Sequence, residues 1–320
     1  MTIRIGLLVS RVRVEERMIA EEMAARGVQC TMIDVRDLVW DVHGDCRLRD
    51  GSPLEHVDLV LERCISQTQG LTAARLFEAA GVPCVNSAAV IETCGDKLAT
   101  SLTLVREGVP TPRVLVGVEP ESALAAVERM GYPCVLKPTS GSWGRLLARL
   151  NDRHAAEAVI EHKATLGSVQ HGVFYVQEFI EKPGRDLRVF VVGDEAVAGI
   201  ARYSDHWITN TARGGRAEAF DVSGEEGDLA VRAARAVGGG VLAVDLLEAP
   251  GRGLLVSEVN HTMEFRNSVE PTGVNIPGRI VEFAVQAARN RDRGSAESNA
   301  RRHRALNGHA GVPASLGGRA

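Results

Sequence analysis

Apolar residues along this chain gather in short runs separated by polar stretches with helical spacing, and the order of those runs predicts the fold. Residues 3–9 (I-R-I-G-L-L-V) read as a buried strand, 15–26 as a helix stopped by Gly27, and 28–35 as a second strand. A third strand is expected at 57–61, a helix at 71–80 ending at Gly81, and a short strand at 83–85. Strands alternating with helices imply an open parallel sheet with crossover connections. The stretch 47–53 is rich in turn residues and reads as a surface excursion.

The pattern changes after a helix over 97–106, where Pro110-Thr111-Pro112 punctuates the chain. Strands are expected at 114–118, 134–136, 145–150, 174–180, 187–192 and 196–203, several antiparallel because their connections are short. Helices are expected at 122–130, 224–237 and 277–289. Two further apolar runs, 241–247 and 254–259, are joined by Pro250-Gly251-Arg252-Gly253 and read as a hairpin. Periodicity stops near residue 290. The segment 291–320, rich in Gly, Ser, Ala and Arg, is expected to be a disordered tail.

The hairpin carries the most informative residues. Asp245 sits inside one apolar run, and Glu258 and Asn260 at the end of the other. Carboxylates are rarely placed on buried strands without a partner. Two carboxylates and an amide oxygen suit Mg²⁺, which takes hard oxygen ligands and leaves positions for phosphate; a solvated hairpin with outward acids is the bland alternative. Lys137 ends the strand Y-P-C-V-L-K-P and is followed by Thr139-Ser140-Gly141-Ser142-Trp143-Gly144-Arg145. A lysine beside a small-residue loop can meet phosphate oxygens while loop N–H groups cover them. Neither a Walker A loop nor a G-x-G-x-x-G after the first strand occurs. Asp96 reads as a helix cap, which puts Lys97 in the first turn, against the dipole and tolerable near bound phosphate. Gln177-Glu178-Phe179-Ile180 closes a strand and offers backbone groups to an adenine edge.

Composition narrows the field further. At 320 residues with 45% apolar and 24% charged residues, the chain suits a globular enzyme of two or three domains. A net charge of −4 argues against general nucleic-acid affinity, and no apolar run is long enough to cross a bilayer. The six cysteines form no C-x-x-C pair and no zinc spacing, which points to a reduced, cytoplasmic setting.

Taken in order, the G-D-K helix start, strand lysine, Gly loop, Q-E-F-I, G-R-D-L-R, N-T-A-R-G-G and D…E-V-N resemble the ATP-grasp superfamily. Within it the chain is similar to RimK-type carboxylate–amine ligases, most of all the LysX group. The closer match is carried by L-E-R-C-I-S-Q-T-Q, G-S-W-G-R-L-L-A, H-W-I-T-N-T-A-R-G-G and E-V-N-H-T-M-E-F-R-N-S, and the likeness spans about 1–288. The resemblance implies an α/β (α+β) ATP-grasp fold: an N-terminal parallel α/β domain (1–95), then two α+β subdomains (96–181, 182–290) clasping ATP, ahead of the tail.

Roles follow from the same resemblance. Lys97 and Lys137 would contact nucleotide phosphates, with Ser140, Gly141, Ser142, Trp143 and Gly144 closing over them; Trp143 is favoured as an anchor of that loop. Gln177, Glu178, Phe179 and Ile180 would meet adenine, and Asp186 the ribose. Asp245, Glu258 and Asn260 match ligands of Mg²⁺, with Mn²⁺ as an alternative. Arg188, Arg202, Asn210 and Arg213 fall where acyl phosphate and acceptor are handled. Arg63, Ser66, Thr262, Arg266 and Asn267 are candidates for the acceptor's carboxylates, the last two reading equally as a turn. His206 and His261 are read as supports, and no general base is evident.

The implied reaction joins the α-amino group of 2-aminoadipate or glutamate to the side-chain carboxylate of the C-terminal glutamate of a small acidic LysW-type carrier protein, with ATP consumed through an acyl phosphate. A homodimer or tetramer is also implied. Glutamate addition to another protein or small molecule is the second reading, and a non-catalytic nucleotide-binding regulator the third.

Overall fold

The computed structural model describes residues 2–43, 45–141, 146–167, 172–209 and 216–290. Its N-terminal part runs β1 (Arg4–Val9), α1 (Val14–Ala25), β2 (Gln29–Asp34), β3 (Leu38–Trp40), β4 (Cys46–Leu48), β5 (Leu59–Glu62), α2 (Gln67–Ala79), β6 (Cys84–Val85) and α3 (Ala88–Gly95). Four of these strands form the expected parallel sheet, ordered β2-β1-β5-β6. The 47–53 stretch is less of an excursion than its turn residues imply. Its start is β4, paired with β3, and Trp40 of that hairpin packs edge-on against Phe77 at 5.0 Å. Helix α2 begins earlier than its apolar spacing suggests, because the Ser66 hydroxyl accepts from the Gln69 N–H at 3.4 Å. Helix α3, capped by Ser87, was not anticipated.

Next come α4 (Lys97–Arg106), β7 (Val114–Gly117), α5 (Pro120–Met130), β8 (Cys134–Lys137), β9 (Ala148–Leu150), α6 (Arg153–Leu166) and β10 (Phe174–Glu178). The strands make an antiparallel sheet, β7-β10-β8-β9, whose core with α5 and α6 includes Val127, Leu136, Ile160 and Phe174. Helix α6, also unanticipated, starts where the Asp152 carboxylate accepts from the Ala155 N–H at 2.9 Å.

The last part contains β11 (Arg185–Val192), β12 (Glu195–Tyr203), β13 (Arg216–Ala219), α7 (Glu225–Ala236), β14 (Val241–Ala249), β15 (Gly253–Asn260), α8 (Arg266–Thr272) and a helix α9 over 276–290. Its antiparallel sheet is ordered β13-β12-β11-β14-β15. Both faces of β14 are covered. Val241 and Ala243 join a core shared with β1, β5 and α9, while Leu242, Val244 and Leu246 pack in a second core with α7. That explains the nearly unbroken apolar run, in which each fully buried Leu or Val contributes about 2 kcal/mol.

Asn86 fastens the N-terminal part to this sheet. Its Nδ2 donates to the carbonyls of Val241 (2.8 Å) and His261 (2.6 Å), and its Oδ1 accepts from the Val241 N–H at 2.7 Å. Gly240 is required beside it: φ is +113°, and a Cβ would lie 2.1 Å from Asn86 Oδ1. Among the described residues no helix is long and apolar enough to cross a membrane. The expected tail lies outside the described residues, as do 142–145 and 210–215.

Candidate active site

Strand register brings the hairpin acids together. Asp245 on β14 lies directly opposite Glu258 on β15, and Arg188 on β11 lies opposite Asp245 from the other side. Residues paired across strands share a face, so Arg188, Asp245 and Glu258 form one row over three strands. Asn260 lies opposite Ala243, two positions along on the same face. The row faces a cleft of about 550 Å³ that also receives Lys97, Lys137 and Lys182.

Asp245 is 7% exposed and held by two guanidinium groups. Arg188 donates to both its oxygens at 2.7 and 2.8 Å, and Arg202 lies 3.2 Å from Oδ2. Burial pushes the Asp245 carboxyl up, but the two arginines outweigh it and hold it at about 2. Arg202 also donates to Asp186 at 2.6 Å. Lys182 then reaches Asp186 at 3.5 Å and the Thr209 hydroxyl at 2.8 Å. Charges therefore alternate along the sheet from Arg188 through Asp245, Arg202 and Asp186 to Lys182. Asp186, expected at the ribose, lines the cleft with its carboxylate engaged by Arg202, Lys182 and Thr209.

Lys97 and Lys137 stand across from the acids. The Lys97 ammonium is 3.1 Å from Glu258 and donates to the Gly141 carbonyl at 2.7 Å, while its N–H donates to Thr139 at 2.8 Å. Asp96 caps this helix as the sequence suggests, accepting from Leu98 at 2.7 Å and Ala99 at 3.1 Å. Burial lowers the Lys137 ammonium to about 8; Glu258 resists the fall and Lys97 adds to it. Ser140 and Gly141 line the cleft. Ser142, Trp143, Gly144, Asn210 and Arg213 lie outside the described residues.

Two carboxylates and an amide remain a fitting donor set for Mg²⁺. Among the described residues no group of three or more His, Cys, Asp or Glu side chains could hold a metal, so any ion here takes its remaining ligands from substrate or water. Asn260 Nδ2 is buried without a hydrogen-bond partner. Turning that amide over exchanges its two atoms and presents oxygen instead.

At the other end of the cleft, Val135, Phe179, Ile180, Trp207 and Leu247 line an apolar slot. Arg149 stacks on the outer side of this wall, 4.1 Å from the Phe179 ring centroid. Gln177 is 4% exposed, lines the slot, and its Oε1 is buried without a partner. The Glu178 side chain takes a different part. It accepts from the Arg113 N–H and from Arg252, each at 2.7 Å, and fastens the slot to the turn of the β14–β15 hairpin. The Glu178 N–H donates to the Arg113 carbonyl at 3.0 Å, so the Glu178 carbonyl is what remains for a ligand.

The five acceptor candidates do not converge. Thr262 lines the cleft. Arg63 is 1% exposed, beneath the cleft floor, and spends its guanidinium on Glu16 (3.0 Å) and the Met263 carbonyl (2.9 Å). Ser66 caps α2, and Arg266 and Asn267 begin α8 rather than a turn; none of the four is among the cleft-lining residues. Arg13, Gln67, Lys182 and Glu264 line the cleft without having been singled out, since in sequence they are ordinary surface polar residues. His261 also lines it, backed by the buried Glu62 at 3.5 Å and by Thr262 at 3.0 Å.

Residues 94–284 match a family model described as RimK-like ATP-grasp domain, and residues 5–93 one described as LysX preATP-grasp domain. The chain is 34% identical over 282 residues to the glutamate–LysW ligase ArgX of Sulfurisphaera tokodaii, covering 88% of this chain and 97% of that protein. It is 32% identical over 275 residues to the α-aminoadipate–LysW ligase LysX of Saccharolobus solfataricus, covering 86% and 98%. Among solved structures, a RimK domain ATP-grasp protein from Sphaerobacter thermophilus superposes with a TM-score of 0.72 at 28% identity, covering 88% of this chain and 99% of that one.

Proposed function

The chain belongs to the RimK-like ATP-grasp ligases, with a LysX-type preATP-grasp domain in front, and on that premise we propose that it loads a dicarboxylic amino acid onto a LysW-type carrier protein. It is an ATP-dependent ligase that forms an amide bond. The acceptor amine is that of 2-aminoadipate or glutamate, and the carboxylate comes from the carrier's C-terminal glutamate. Support for either amino acid is even, because relatives named for each have nearly equal identity to this chain. One methylene changes pocket depth and is worth only about 1–3 kcal/mol.

The observation that carries the reading is the cleft's charge layout. A row of acids on β14 and β15 faces two lysines, with guanidinium groups beside it. A carboxylate attacking the γ-phosphoryl group brings two anions together, and neither is a strong reactant unless cations offset their repulsion. Lys97 and Lys137 would hold the phosphates. Arg188 and Arg202 would offset the charge that builds on the acyl phosphate and on the tetrahedral oxyanion formed by amine attack; their planar forks suit both shapes. Arg213 and Asn210 are assigned to the same task on family pattern. Asp245, Glu258 and Asn260 would hold Mg²⁺, which supplies charge neutralisation at the phosphates, and Mn²⁺ fits the same oxygen-rich set. The slot around Phe179 and Ile180 takes adenine, Gln177 Oε1 and the Glu178 carbonyl accepting from its amino group.

The proposed division is a preATP-grasp domain (1–95) and two subdomains (96–181, 182–290) whose facing sheets make the cleft. A cytoplasmic setting fits the need for ATP and the six unpaired cysteines. A dimer or tetramer belongs to the same proposal, and light scattering tests it. The decisive experiment is mass spectrometry of a LysW-type carrier incubated with the protein, ATP and each amino acid in turn. A mass gain that requires ATP and one amino acid supports the proposal. ADP release that ignores the carrier would instead favour a small-molecule ligase.

A further inference from the structure

The sheet order β2-β1-β5-β6 places a topological switch point between β1 and β5, and in open parallel sheets ligands bind outside the carboxyl ends of such strands. The segments that leave those two ends supply Arg13, Cys64, Ile65 and Gln67 to the cleft. Arg13 is unusually well fixed. Its N–H, Nε and Nη2 all donate to Glu16, at 2.8, 3.0 and 2.8 Å. Glu16 is wholly buried and pinned from behind by Arg63, itself tied to the Met263 carbonyl. One carboxylate thus serves two guanidinium groups, leaving one positive charge that Glu264, with the buried Glu15 nearby, offsets. That charge faces the cleft at Arg13 Nη1, where Glu264 stands 3.3 Å away, the longest contact of the set.

We infer that the free amino-acid acceptor is held at this end of the cleft, its α-carboxylate on Arg13 and its α-ammonium on Glu264. The inference rests on the ligase reading above and deepens it by placing one substrate. A rigid guanidinium with one outward N–H edge is a preorganised carboxylate receptor, and an adjacent carboxylate completes a pair of opposite charges matching an α-amino-acid head. That pairing also decides which substrate sits here. The acceptor carries a free α-ammonium, whereas the α-nitrogen of a carrier's C-terminal residue is in a peptide bond. Arg13 comes from the β1–α1 connection and Glu264 from the segment after β15, so the acceptor would be gripped between the two domains. The pair provides binding and orientation; the α-ammonium gives one proton to solvent before the neutral amine attacks, and the second leaves with the departing phosphate.

The test compares wild type, Arg13→Gln and Glu264→Gln, using full-length protein with ATP and carrier. Each variant is expected to raise KM for the amino acid by roughly 30-fold or more, with KM for ATP and carrier nearly unchanged. An acceptor analogue bearing an α-carboxamide should be strongly disfavoured by wild type and hardly discriminated by Arg13→Gln. Hydroxylamine trapping of the activated carrier, run without amino acid, should proceed equally in all three proteins. Glu264→Gln leaves the buried Glu16–Arg63 pair intact and stands in if Arg13→Gln folds poorly. Unchanged amino-acid KM in both variants, or equal discrimination against the α-carboxamide, would overturn the inference while the trapping result upholds the ligase. Absence of ATP-dependent hydroxamate from wild type would overturn both.

Discussion

Replacing Lys137 by Met tests the electrostatics of the cleft without any substrate. The native ammonium is half-buried beside Lys97 and Lys182, and its pKa falls from an ordinary 10.5 to about 8. At about 1.4 kcal/mol per tenfold change in proton affinity, keeping that charge at neutral pH costs the fold roughly 3 kcal/mol. Partial exposure reduces the figure to about 2 kcal/mol. The sign follows from linkage: a lysine with a lowered folded pKa destabilises fully below about 8. Between there and 10.5 the unfolded chain binds more protons, so stability recovers as pH rises. Methionine keeps similar length and volume without the charge. The variant should therefore melt higher than wild type at pH 7 by roughly 4–8 °C, and the gain should vanish toward pH 10.5, while ATP turnover is lost. Differential scanning calorimetry across that pH range reads the effect directly. A lower melting temperature at pH 7, or a gain that does not change with pH, would refute the reasoning.

Gln177→Leu removes the buried acceptor in the slot. Wild type should prefer ATP over purine riboside triphosphate, which lacks the amino group, by about tenfold or more; the variant should lose most of that preference, and equal ratios of kcat/KM in the two proteins would contradict it. Gly227→Ala puts a Cβ 1.8 Å from the Val222 carbonyl oxygen, a backbone atom with little room to yield. Overpacking of about 2–3 kcal/mol exceeds the gain of about 1 kcal/mol in helix propensity, so thermal melting should show a loss of several degrees, and a rise would sink the prediction. Chelation by EDTA should abolish turnover yet leave the nucleotide-free melting temperature within about 1 °C, because Arg188 and Arg202 already neutralise Asp245; a drop of several degrees would show the ion to be structural.

Much of the fold was legible because burial leaves a period in the sequence. The parallel sheet, the hairpin and α7 announce themselves by apolar runs of characteristic length, and Asp245 stood out as an acid within one of them. Helices α3 and α6 were missed for the converse reason: α3 is short, and α6 buries only Ala156 and Ile160, too thin a stripe to register. Within the site, the residues on strands come together because register sets Asp245 against Glu258 and Arg188. Arg63 illustrates the limit. Its position beside matched motifs suggested substrate contact, but the side chain points below the cleft, and Arg13, far away in sequence, holds the exposed edge. Such a relay between charged groups is invisible until tertiary structure sets which guanidinium lies in front.

The bond between Arg252 in the hairpin turn and Glu178 at the end of β10 has a mechanical consequence. It is reinforced where the Val256 N–H donates to the Pro110 carbonyl and the Thr111 hydroxyl to the Val256 carbonyl. Together these ties fasten the strand leading into the apolar slot to the strands bearing the acids, so that two walls of the cleft are cross-linked into one shelf. Residues 110–111, 178 and 252–256 are thereby joined into one connected unit, whatever moves around it.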